Sequence, residues 1–197
     1  MKGTACEPKS AVANDFEQVY DRINQIWAMI PVYDSGDSTL IIYDNGERCV
    51  VTRTVRNILR DMAERKGLGL KNVRNCYGEK RTASEPLILG PNIVFALLKC
   101  RNPIGKDSAY GYINMAISNT EYELSSISKS SCHLCRDEQE EPILILHSSN
   151  IVEKKLRTAR KHHINFLRRL TEEIQLVNNP HIIKELIQRL QRNSNLW

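Results

Sequence analysis

No stretch of this 197-residue sequence approaches the roughly 20 consecutive apolar residues that a membrane-spanning helix needs, so no such helix is expected. The opening MKGTACEPKSAVANDF lacks the apolar segment of a secretory leader, and the expected compartment is the cytoplasm, of a prokaryotic cell by default. Internal repeats and low-complexity tracts are absent. So are a glycine loop that cradles phosphate, an HExxH pair and a nucleophile elbow, which leaves no catalytic residue and no cofactor to be expected. Six cysteines would allow three disulfides, but without an export signal they read as reduced thiols.

Charge is what the chain does have, and its distribution says more than its net value of +5. In Asn150–Leu170, NIVEKKLRTARKHHINFLRRL, acid is nearly missing: Lys154, Lys155, Arg157, Arg160, Lys161, Arg168 and Arg169 stand against Glu153 alone. Like charges one turn apart destabilise a helix by about 0.2–0.5 kcal/mol per pair, so this excess exceeds what solvation requires. Ile151, Leu156, Ile164, Leu167 and Leu170 form its apolar stripe, to be covered by the rest of the domain. A second cluster runs from Arg53 to Arg81, with Arg53, Arg56, Arg60, Arg65, Lys66, Lys71, Arg74, Lys80 and Arg81 against Asp61, Glu64 and Glu79. Together the two predict a surface with one cationic face, suited to a polyanion.

The chain in order reads as a loose tail over residues 1–13, then a helix capped by Asn14 or Asp15 through Phe16, Val19, Tyr20 and Ile23. Ile26–Pro31 either extends that helix or forms a buried strand ending at the proline. Leu40–Tyr43 and Cys49–Thr52 are two strands joined at Asp44-Asn45-Gly46, a hairpin signal. Thr54 caps a helix with Val55, Ile58, Leu59 and Met62 inward and Arg56, Arg60 and Glu64 outward. Gly67 and Gly69 end it and open a flexible basic loop. Further strands are expected at Pro86–Leu89, at Ile93–Leu98 (interior, buried on both faces), at Tyr110–Ile117, around Tyr122–Ile127 and at Ile143–Leu146. After the basic helix, Asn179 and Pro180 start a second C-terminal helix with Ile182, Ile183, Leu186, Ile187 and Leu190 on one face.

Within this frame Lys154, Lys155, Arg157, Arg160 and Lys161 are the expected phosphate contacts, joined by Arg53, Arg56, Arg60, Lys71, Lys80 and Arg81. The loop Gly67–Arg74 suits a narrow minor groove, where an arginine meets enhanced negative potential. Cys132-His133-Leu134-Cys135 has the spacing of half a zinc site, but a structural zinc takes four ligands, and two thiols in a polar loop is the plainer reading. His162 and His163 point apart on a helix and do not suggest a shared metal; Tyr110 and Tyr112 share a strand face, as stacking or core residues.

Several short motifs in order resemble the competence transcription factor (ComK) family of Gram-positive bacteria. Ile26-Trp27-Ala28-Met29-Ile30-Pro31 is similar to the family's early apolar strand, and Gly67-Leu68-Gly69-Leu70-Lys71-Asn72-Val73-Arg74 to its glycine-serine loop ending in Gly-Arg. Glu85-Pro86-Leu87-Ile88, Ile93-Val94-Phe95 and Gly111-Tyr112-Ile113 stand where the family has Lys-Pro-Pro-Ile, Ile-Phe and Gly-Trp-Ile. Asn150, Glu153 and Arg157-Thr158-Ala159 resemble the run that opens its C-terminal helix. Ala96-Leu97-Leu98 replaces the family's Phe-Pro-Thr, and its adaptor-binding tail segment is not found. The resemblance implies a cytoplasmic transcriptional activator that binds paired A/T-rich boxes, mainly through the minor groove, as an assembly of dimers controlling genes for DNA uptake and recombination. Arg74 is the basic residue it carries over by motif.

The expected architecture is therefore α+β: a mostly antiparallel sheet over residues 14–148 with an N-terminal helix and an inserted basic helix, then a C-terminal helical hairpin over 149–197. Its expected partner is double-stranded DNA, bound by a homodimer or larger homo-oligomer without a membrane or cofactor. A metal-dependent nuclease and a protein-binding adaptor are the alternatives.

Overall fold

The computed structural model describes residues 16–33, 37–68, 85–103, 109–117, 122–136 and 141–177. The tail before Asn14, the loop that holds Arg74 and the second C-terminal helix lie outside these. A six-stranded antiparallel sheet forms the centre, built from β1 (Ile26–Tyr33), β2 (Asp37–Tyr43), β3 (Arg48–Val51), β4 (Leu87–Gly90), β5 (Ile93–Lys99) and β6 (Tyr110–Asn114) in the order β3-β2-β1-β6-β5-β4. The turn between β2 and β3 is the one its Asp-Asn-Gly signal predicts. Gly46 takes φ +83°, Gly46 N donates to Tyr43 O at 3.1 Å, and Asn45 Oδ1 accepts from Glu47 N at 3.1 Å.

The first helix is short, α1 (Phe16–Asp21), and the apolar run after Gln25 is strand, buried from Ile26 to Ile30. Pro31 does not end it. Pairing with β6 covers Ala28 and Met29, so the proline's missing N–H falls beyond that ladder and β1 continues to Tyr33.

Strand alternation sends side chains to two different cores. From β5, Ile93 and Phe95 pack with α2 (Val55–Arg65), whose Val55, Ile58, Leu59, Met62 and Ala63 are buried. Thr54 caps α2 through its side chain, which accepts from Asn57 N at 3.2 Å, and Gly67 at φ +69° follows the last turn. Val94, Ala96 and Leu98 point the other way. They are covered by a three-stranded antiparallel sheet, β7 (Glu123–Ser128), β8 (Ser131–Cys135) and β9 (Ile143–Ile145), and by α3 (Ser149–Val177). Strand β5 is thus interior and buried on both faces, as its apolar run predicts. Strand β7, at the edge of the small sheet, is mostly exposed and shifts register between Ser126 and Ser128.

Two further expectations need correcting. The segment holding Cys132 and Cys135 is strand β8, not a polar loop. Cys132 and Leu134 alternate into the core, where alternate positions are apolar, and β8 pairs on both sides. In α3 the residues that pack are Val152, Leu156 and Ala159, while Ile151 and Ile164 are 46% and 65% exposed. The stripe at positions 152, 156, 159, 163 and 166 keeps helical spacing, and the larger neighbouring isoleucines drew the reading one position aside.

Asn114 joins the pieces. Its side chain is fully buried; Nδ2 donates to Ile26 O at 3.1 Å and to Asn92 O at 3.0 Å, and Oδ1 accepts from Val94 N and Ala116 N, both at 3.0 Å. Beside it on β6, Gly111 permits close approach: a Cβ there would lie 2.6 Å from Cys100 Sγ and 2.9 Å from Met29 O. Asn114→Leu leaves four main-chain groups without partners, each costing about 1–3 kcal/mol, so a loss of at least 3 kcal/mol is expected in urea unfolding with an unchanged m value. A loss under about 1 kcal/mol would show that water replaces the amide.

Candidate nucleic-acid interface

Helix α3 is the best-formed cationic element among the described residues. Its packed side is fixed by apolar contacts and by two polar anchors on the six-stranded sheet. Lys155 Nζ donates to Leu97 O at 3.0 Å, and His163 Nε2 lies 2.7 Å from Pro91 O, a contact that requires the proton on that nitrogen. At 100° per residue, Lys154, Arg157, Lys161 and Arg168 then fall within an arc of about 60°, on the side opposite Val152 and Leu156. All four are exposed. They span roughly 21 Å of a 29-residue helix. Arg157 is paired with Glu153 at 2.7 Å and Arg168 with Glu172 at 3.8 Å, both within the helix. Exposed pairs of this kind contribute about 0.3–0.5 kcal/mol, too little to hold a guanidinium away from a phosphate. Arg160 is also exposed, with its guanidinium 5.1 Å from the centre of the Tyr122 ring.

Of the expected phosphate contacts on this helix, the geometry aligns Lys154, Arg157 and Lys161, sets Arg160 to one side, and turns Lys155 inward. Lys155 is half-buried, and desolvation lowers its pKa. Arg168, not among the expected contacts, joins the stripe; the signal that could have found it is its spacing of seven residues from Lys161.

The cations of α2 are placed differently. Arg53 is ion-paired to Asp61 at 2.8 Å, and Asp61 also accepts from Tyr20 Oη at 2.9 Å. Arg60 lies 3.6 Å from Asp61 and 4.0 Å from Glu64. Arg56 is exposed. Helices α2 and α3 cover opposite faces of the six-stranded sheet, so these residues do not share a surface with the α3 stripe. The single cationic face that charge counting predicts is not what the two helices form. Lys71, Arg74, Lys80 and Arg81 lie outside the described residues.

Cys132 and Cys135, three apart on a strand, point to opposite faces and do not converge on one ion. Burial raises the pKa of Cys132, and pushes Cys100 up to about 12. Both thiols are poor nucleophiles.

One group of residues was not anticipated. Leu146 N donates to Lys99 O at 2.6 Å, which seats His147 beside the end of β5, two residues along from the carbonyl that holds Lys155. Burial lowers the pKa of His147, and Lys155 and Lys99 lower it further. Its Nε2 is buried, with no hydrogen-bond partner among the described residues.

No protein-family model, curated protein or solved structure matches the chain. The resemblance to the competence family rests on the motifs quoted above.

Because the folded protein holds His147 below its ordinary value near 6.5, the unfolded chain binds the extra proton more readily. Stability therefore falls as pH drops through about 6.5 and levels off below the folded-state value. Urea unfolding between about pH 7.5 and 5.5 should show a smaller acid loss for His147→Gln than for the parent chain; equal losses would assign the effect to other histidines.

Proposed function

We propose that this chain is a DNA-binding transcription regulator of the competence type, acting as a homodimer or larger homo-oligomer and activating genes for DNA uptake. The observation that carries the reading is the row of Lys154, Arg157, Lys161 and Arg168 on the outward side of a helix fastened to its domain at Leu97 and Pro91. A rigid cationic row positions a phosphate backbone and gives affinity that does not depend on sequence. Sequence preference then belongs to the basic loop holding Arg74, in the manner of an arginine reading a narrow A/T-rich minor groove. The turn from β4 to β5 carries the Pro91 carbonyl that α3 grips through His163, which fixes the helix to that margin of the sheet. Among the described residues no helix is long and apolar enough to cross a membrane. The reading assigns no catalytic residue and no cofactor.

Gel shifts on A/T-rich and G/C-rich duplexes over a salt series test it. Binding should weaken steeply with salt and favour the A/T-rich duplex; absence of a shift on either overturns the proposal. Reversing the charge of Lys154, Arg157, Lys161 and Arg168 should weaken binding to both duplexes alike and flatten the salt slope by about 3–4. Arg74→Ala should instead erode the A/T preference. Labelled duplex incubated with Mg²⁺ should remain intact; cleavage would replace a regulator with a nuclease.

A further inference from the structure

We propose that the β7–β8 hairpin enters the major groove of duplex DNA and that Ile127 recognises thymine there through its methyl group. This rests on the DNA-binding reading and adds a second point of sequence recognition to it.

Strand β7 runs alongside α3 in the opposite direction. Ser126 Oγ lies 2.9 Å from Ser149 Oγ at the first residue of the helix, and the Tyr122 ring centre lies 5.1 Å from the Arg160 guanidinium. The hairpin tip therefore projects past the N-terminal end of α3. Along the helix axis Ile127 stands roughly 10 Å from Lys154, the first cation of the outer row. That offset is close to the width of the major groove, about 12 Å, which admits a two-stranded β-ribbon. A backbone gripped by the row thus has its groove at the hairpin. The tip is held by its own hydroxyls: Ser128 Oγ lies 2.7 Å from Ser131 Oγ and accepts from Ser130 N at 3.1 Å.

Ile127 falls where the register shifts between Ser126 and Ser128, and it is 51% exposed. A bulge of this kind takes a side chain out of the regular alternation of a strand. Around it Ser125, Ser126, Ser128, Lys129 and Ser130 are all exposed. No acid occurs from Leu124 to Arg136, and the nearest along the chain to Ile127 is Glu123, at the base of the hairpin opposite Cys135. A protein partner calls for a contiguous apolar patch, which one isoleucine among serines does not supply. The thymine methyl is a single apolar group in an otherwise polar groove, and serine hydroxyls serve as donor or acceptor to the base edges beside it. Lys129 adds attraction for the flanking phosphates. Preference for A/T pairs then has a source in the major groove, separate from any reading of minor-groove width.

Replacing thymine by uracil throughout an A/T-rich duplex removes the methyl groups and leaves the minor-groove edges unchanged, and anisotropy titrations of the full-length protein on the two duplexes test the hairpin. The parent chain should bind the uracil duplex more weakly, by about fourfold for each methyl that Ile127 covers. Ile127→Ser, at an exposed position, should melt as the parent does and bind both duplexes with the parent's affinity for uracil. Lys129→Met should weaken both alike, and Arg74→Ala should keep the difference between thymine and uracil. Equal binding of the two duplexes by the parent overturns the hairpin contact and leaves the DNA reading standing. So does an Ile127→Ser protein that still prefers thymine, because the methyl is then recognised elsewhere. Binding to neither duplex overturns the DNA reading itself, and the hairpin contact with it.

Discussion

The Asn114 side chain is the constraint on which the two halves of this fold depend. A buried amide has four hydrogen-bonding capacities, and here all four are used, on β1, on the turn before β5, on β5 itself and on the chain leaving β6. Satisfying them together fixes the relative offset of β1, β5 and β6. That offset decides which β5 side chains meet α2 and which meet α3. A slip of one residue would exchange Phe95 for Ala96 under α2 and break the packing on both sides. The amide supplies order more than energy, since each of its bonds replaces one made to water.

From that frame the charges sort themselves by what lies next to them. Arg53 and Arg60 are tied to Asp61, so part of the positive charge counted around α2 stabilises the fold. Arg22 and Arg65 behave similarly, with Glu47 and Glu17 as partners and the rings of Tyr43 and Tyr20 beneath their guanidinium groups. On α3 the acids are few and exposed, and the cations of the outer row remain available. Counting Lys and Arg along a sequence cannot make this distinction, because it depends on which acids the fold brings close.

Much of the fold was legible. The turn at Asp44–Gly46, the cap at Thr54, the interior strand at Ile93–Leu98 and the helix beginning near Asn150 were readable because each is set by local chemistry or by period. The errors share a cause. Cys132–Cys135 looks like loop from its polar neighbours, and only pairing with β7 and β9 makes it strand. The inward turn of Lys155 and the company of Lys99 and His147 arise from contacts across more than 40 residues, which no window along the chain contains. The opposition of α2 and α3 has the same origin: it follows from strand order, and strand order is not periodic.

The exposed serines of β7 have a consequence for the molecule at high concentration. Open sheets invite other chains to add strands at their edges. Here β3 and β4, at the margins of the large sheet, are four residues long, and β9, at one margin of the small sheet, has three. The longer outer strand, β7, is polar and irregular where its register shifts. A flat ladder of free amide groups is therefore not presented, and the edges of the described sheets are poor templates for cross-β assembly.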